Sequence, residues 1–110
     1  MEPLHQFMME MISAVIAWRE RFPEEGKGPS QISLLMEEVV ELVRAYNREE
    51  RDEMARELAD VLFVAIKMFL IEDLPLEAIH EVTQKNLEKL TGKYEINSRG
   101  KVVRCDVSSN

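Results

Sequence analysis

The stretch "LLMEEVVELV", Leu34–Val43, decides the fold, because it reads as a helix and then works against itself. At roughly 100° per residue, Leu35, Val39, Leu42 and Tyr46 fall on one stripe, the apolar face of an amphipathic helix. Glu38 and Glu41 lie on one shoulder of that stripe, bracketed by Leu34 and Ala45, and Glu37 is turned further out. Like charges three and four residues apart on a helix repel by about 0.2–0.5 kcal/mol per pair. The conflict recurs in "RELADVLF", Arg56–Phe63, where Glu57 and Asp60 stand three apart among leucine, valine and phenylalanine. Two acidic pairs sit where a small protein should be building its core.

Working outward, four helices account for most of the chain. The first is expected from about Pro3 to Phe22, with Phe7, Met11, Ile12, Val15 and Trp18 at helical spacing and Pro3 suited to a first turn. "FPEEGKGPS" breaks the chain with two prolines and two glycines. Ser30 is then read as the N-cap of a second helix running to about Asn47. The polar "NREERDE" leads into a third helix, from about Asp52 to Glu72. Pro75 opens a fourth, which carries Ile79, Val82, Leu87 and Leu90 and ends at Gly92. Short connections between long helices imply antiparallel neighbours, so the fold class is all-α, a four-helix bundle. Residues 1–94 form the helical domain and residues 95–110 a short tail. From that boundary on, Tyr94–Ile96 and Lys101–Val103 flank "NSRG", consistent with a small hairpin or an irregular end, and "DVSSN" is expected to fray.

Composition narrows the function classes. At 110 residues the chain is one domain, and its 45% hydrophobic and 32% charged residues mark it as globular. With 14 basic against 21 acidic residues the net charge is −7, which opposes binding to nucleic acid through basic patches. Cys105 is the only cysteine, and His5 and His80 lack metal-ligand spacing, so neither a disulfide nor a zinc cluster is expected. The N-terminal apolar segment lacks a basic n-region and is interrupted by Glu10, so it is not read as a signal peptide. The longest apolar run contains Asp60, Lys67, Glu72 and Asp73, too broken for a bilayer span. A cytoplasmic location with no membrane partner is the expectation.

Between Leu58 and Ile71 only Asp60 and Lys67 are polar. A helix apolar on nearly every side is buried on nearly every side. Four helices rarely cover one so completely, which points to a second copy of the chain. Asp60, with apolar neighbours on both sides, is expected to be shielded from water. Lys67, on the same face as Glu57, Asp60 and Val64, either neutralises Asp60 or reaches a phosphate.

Two adjacent antiparallel helices can point Glu38, Glu41, Glu57 and Asp60 into one space. Bare, such a cluster costs several kcal/mol or holds protons. A hard divalent cation such as Mg²⁺ or Mn²⁺ reverses the sign, because it prefers oxygen ligands. The bland reading is a solvated acidic surface, and for Glu37, Glu49, Glu50 and Glu53 it is preferred.

"EEVVE", then fifteen residues, then "ELAD" resembles the EExxE…ExxD pattern of the MazG-like, all-α nucleoside triphosphate pyrophosphatases, and "KNLEKLTGKY" looks like the lysine/asparagine segment of that family. The resemblance spans about Trp18 to Tyr94. It implies a helical bundle assembling as a homodimer or tetramer, with Mg²⁺-dependent cleavage of (deoxy)nucleoside triphosphates to monophosphate and pyrophosphate, in a nucleotide house-cleaning role. By position, Glu38, Glu41, Glu57 and Asp60 match the metal ligands, with Mn²⁺ a substitute for Mg²⁺. Glu37 matches the outer glutamate, which orients a ligand or the attacking water; Glu37 or Glu38 is the expected acceptor of that water's proton. Lys85, Asn86, Lys89 and Tyr94 match positions that approach phosphates or sugar, and Trp18 an aromatic position that stacks on a base. Each has a plainer alternative: Trp18 as core, and Lys85 and Lys89 as a solvated face paired with Glu81 or Glu88. No GxxxxGK[ST] loop is present, so backbone amides of that type do not hold phosphate. The sequence also has some likeness to phosphoribosyl-ATP pyrophosphatases. A non-enzymatic acidic helical interaction module is the reading that needs no metal.

Overall fold

The computed structural model describes residues 2–105. Four helices and one two-stranded hairpin follow one another: α1 Glu2–Arg21, α2 Pro29–Asn47, α3 Arg51–Ile71, α4 Glu77–Thr91, β1 Tyr94–Ile96 and β2 Val102–Arg104. The all-α, four-helix architecture is the expected one. The described residues form two compact units divided between Leu74 and Pro75. The fraying expected at residues 106–110 lies outside the described residues.

In the first unit α3 is the common neighbour, packed along α2 and also against α1. Its polypeptide path is set by two tight helix ends. After α2, Glu50 N–H donates to Ala45 O and Glu49 N–H to Tyr46 O; after α3, Leu74 N–H donates to Phe69 O and Asp73 N–H to Leu70 O. Both are Schellman ends, and both place an acid rather than glycine at positive φ, Glu49 at 57° and Asp73 at 53°. The first of them folds α3 back antiparallel to α2 within three residues.

Helix starts differ from the sequence reading by a residue or two. α2 begins at Pro29 with Gly28 as its N-cap, at φ 72°, a conformation that suits glycine. Ser30 therefore lies inside the first turn, where its hydroxyl donates back to Lys27 O at 3.3 Å. α4 begins at Glu77, and Pro75 stays outside it, its carbonyl accepting from Ala78 N–H.

The buried apolar side chains are Val15 of α1, Ala45 of α2, and Val64 and Ile71 of α3. The all-round burial expected of α3 is not what the single chain provides: Leu58 and Leu62 remain exposed, and so does Asp60. The physical reason is that α3 has two helices against it in this unit, and two neighbours leave one flank open. Phe7, Met36 and Tyr46 are each more than 60% exposed as well. No helix among the described residues is long and apolar enough to cross a membrane.

In the second unit α4 ends at Gly92, as expected, and the hairpin follows. The strands pair antiparallel with Tyr94 opposite Arg104, Glu95 opposite Val103 and Ile96 opposite Val102. Asn97 closes the turn, its Oδ1 accepting from Arg99 N–H and Lys101 N–H at 2.9 and 3.0 Å. The second strand starts one residue later than Lys101, because Lys101 carries the turn's closing bond from Asn97 N–H to its carbonyl.

Candidate active site

The α2–α3 seam carries two polar layers two helical turns apart. The first is acidic. Glu38 from α2 and Glu57 and Asp60 from α3 offer carboxylate oxygens that all lie within 4.8 Å of one another. Helical geometry explains it: Glu57 and Asp60, three apart, share a face of α3, and the antiparallel turn lays that face against the shoulder of α2 that holds Glu38.

The charges are unneutralised, and the carboxyls respond. Burial pushes the Glu38 carboxyl above its ordinary value, with the charges of Asp60, Glu37 and Glu41 adding to the effect. Glu57 is raised too, by burial first and then by Glu53, Asp60 and Glu38. Three clustered carboxylates are hard oxygen donors that could hold a divalent cation, and their chemistry suits Mg²⁺ or Mn²⁺. Asp60 is exposed, not shielded, so it meets solvent directly.

Glu41 is not gathered with the other three. Its Oε1 accepts from Arg44 Nη1 at 3.0 Å, one turn along α2, and its side chain is 50% exposed. Glu37, also exposed, and Glu41 line an open concavity along α2 with Ser33, Met36, Val40 and Arg44.

The second layer is neutralised. Lys67, 3% exposed, does not pair with Asp60; its Nζ donates to Glu25 Oε2 at 2.7 Å. Glu25 comes from the α1–α2 connection and collects donors from all three helices of this unit. Its Oε1 accepts from Trp18 Nε1 at 2.8 Å, and its Oε2 also accepts from Gln31 Nε2 at 3.4 Å. Burial pushes the Glu25 carboxyl up, but these bonds and the Lys67 charge outweigh it, and the net shift is downward. The Lys67 ammonium stands 5.3 Å from the Trp18 ring centroid. Trp18 meets Phe22 at 5.0 Å and Phe63 edge-on at 5.9 Å, and is 40% exposed. Glu72 adds a second tie, accepting from Gly28 N–H. Sequence reasoning missed Glu25 and Gln31. The signal available was a glutamine and a lysine each seven residues from an acid of the first layer.

In the second unit, Lys85 and Asn86 are exposed on α4, with Asn86 Nδ2 donating to Val82 O at 2.9 Å. Lys89 Nζ lies 6.0 Å from the Tyr94 ring centroid. Cys105 Sγ donates to Glu95 Oε1, a bond that, with burial, raises the thiol above its ordinary value, unlike a reactive thiolate.

The model of the MazG nucleotide pyrophosphohydrolase domain matches residues 28–95, a span that contains α2, α3, α4 and the whole acidic layer. Comparison with curated proteins and with solved structures gave no match.

Proposed function

The chain belongs to the MazG nucleotide pyrophosphohydrolase family, and from that premise we propose that it hydrolyses nucleoside triphosphates to monophosphate and pyrophosphate with Mg²⁺ as its metal. The observation that carries this reading is the trio Glu38, Glu57 and Asp60, three carboxylates within 4.8 Å and without a cation among the side chains they meet. A polyanionic triphosphate is repelled by such a trio unless a divalent ion stands between them. These residues would hold Mg²⁺, with Mn²⁺ as a substitute. Bound there, the ion would polarise the α-phosphate and lower the pKa of a coordinated water.

The chain's own groups divide the remaining work. Glu41 joins the ligand set by leaving Arg44, an exchange that costs little because the exposed pair contributes at most about 1 kcal/mol. Glu37 lies outside the trio and is the carboxylate left to take the proton of the attacking water; Glu38 is the alternative acceptor. Trp18 offers an indole to a base, and Lys85, Asn86, Lys89 and Tyr94 offer cations and donors to phosphates and sugar. Self-association as a dimer or tetramer would cover Leu58 and Leu62 on the open flank of α3.

Hydrolysis in ¹⁸O-labelled water with Mg²⁺ and a panel of dNTPs tests the reading. Water attacking the α-phosphorus leaves label on the monophosphate and none on pyrophosphate. Orthophosphate with a diphosphate product moves the target to the γ-phosphate, and metal-independent inertness returns the chain to the interaction-module reading.

A further inference from the structure

Gln31 is 3% exposed, and its side-chain Oε1 has no hydrogen-bond partner among the described residues. Buried acceptors are almost always paired, so an unpaired one calls for a partner that enters from outside. The amide cannot be turned to remove the difficulty. Turning it would set Oε1, instead of Nε2, against the Glu25 carboxylate 3.4 Å away.

The position of Gln31 says what that partner is. Gln31 precedes Glu38 by seven residues on α2, and Lys67 follows Asp60 by seven on the antiparallel α3. The Gln31–Lys67 layer therefore lies about 10 Å along the seam from the acidic layer. That matches the span from the α-phosphate of a nucleotide to the far edge of its base. The same layer holds the Trp18 indole, joined to Gln31 and Lys67 through Glu25. An aromatic face, an unpaired amide carbonyl and an ammonium with donors beyond the one taken by Glu25 stand together at base distance from the phosphates' end of the seam.

We infer that Gln31 is a specificity-determining residue: its Oε1 accepts a hydrogen bond from the exocyclic amine of adenine or cytosine, which makes adenine and cytosine nucleoside triphosphates the preferred substrates. The inference rests on the pyrophosphohydrolase reading above. Adenine and cytosine each present on that edge an amine, the donor that the unpaired Gln31 carbonyl lacks. Guanine and thymine present a carbonyl there, and two acceptors would face each other. Satisfying the buried carbonyl discriminates far better than an apolar wall, because the wrong base leaves it desolvated and unpaired.

The full chain is assayed with Mg²⁺ for pyrophosphate release from dATP, dCTP, dGTP and dTTP, and from the triphosphate of purine deoxyriboside, which is adenine without its amine. The expected result is a kcat/KM about tenfold or more higher for dATP and dCTP than for the other three. The dATP and dCTP arms separately report whether a two-ring or a one-ring base fits. In Gln31→Met, which keeps length and removes the acceptor, the ratio should fall towards one, with folding checked by circular dichroism. Equal turnover of dATP and the amine-less analogue overturns the inference and needs no variant; so does an unchanged ratio in a folded Gln31→Met, which would assign Oε1 to a buried water. Absence of pyrophosphate from every nucleotide is a different result, the failure of the pyrophosphohydrolase reading itself.

Discussion

The two polar layers of the α2–α3 seam are built from the same backbone, two turns apart, and treat charge in opposite ways. At one, Lys67 is buried and Glu25 answers it at 2.7 Å. At the other, Glu38, Glu57 and Asp60 converge with no cation among the described residues to answer them, and burial and mutual repulsion raise Glu38 and Glu57. A fold that neutralises the charges of one layer has the means to neutralise the other with a lysine or arginine. Leaving it open costs stability, and on the metal-site reading a bound cation would recover that cost. Among the described residues the first layer holds its neutralising partner and the second does not; on the reading proposed above, a bound cation would supply it.

The largest effect should come from the open layer. Asp60→Asn should lower turnover about a thousandfold or more, with the helical circular dichroism unchanged and metal-free stability equal or higher, since one of three like charges is gone. Glu41→Gln sharpens the point: an equal loss would show that Glu41 leaves Arg44 to serve the site, and near-normal turnover would confine the ligands to the trio. Wild-type activity in both variants would sink the metal assignment.

Next is the closed layer. Glu25→Gln strands the buried Lys67 charge and should cost about 3 kcal/mol in urea unfolding. Adding Lys67→Met to the same chain should restore most of that loss. If the double variant is no more stable than the single one, the pair is not the source of the stability.

Mg²⁺ separates the layers directly. At about a hundred times its dissociation constant it should add about 2.7 kcal/mol to wild-type stability. The increment should vanish in Asp60→Asn and survive in Glu25→Gln. An increment that survives in Asp60→Asn would place the ion elsewhere.

The smallest effect is the pH dependence of the metal-free protein. Glu38 and Glu57 bind protons more tightly folded than unfolded, so their contribution favours the fold at low pH and is lost as pH rises through the window just above the ordinary 4.5. Glu25 has the opposite sign. Its stabilisation is present above 4.5 and is lost as pH falls through its lowered folded value. Thermal melts should therefore show metal-free stability rising as pH falls from neutral towards that window, then falling below it. Saturating Mg²⁺ should remove the rise, and a rise that persists with Mg²⁺ would separate the proton-binding acids from the metal site.

Much of this was legible from residue spacing. Periodicity in Leu35, Val39, Leu42 and Tyr46 assigns α2, and the three-residue step from Glu57 to Asp60 assigns both acids to one face of α3. These are properties of a single helix, fixed by 3.6 residues per turn whatever surrounds it. The partners of charges are not. Lys67 shares a face with Asp60, yet it pairs with Glu25, 42 residues away, because the α1–α2 connection passes closer to its ammonium than the acid two turns back. Glu41 shares a shoulder with Glu38, yet it turns to Arg44, because an i,i+3 guanidinium attracts its carboxylate while the acids across the seam repel it. Even the exposure of Asp60 and the capping of α2 by Gly28 followed from chain path and neighbours, since burial depends on how many elements cover a face. Spacing within each helix determined which acids share a face; only the tertiary structure decided which charges would be answered, because that depends on which segments the path of the chain brings within reach.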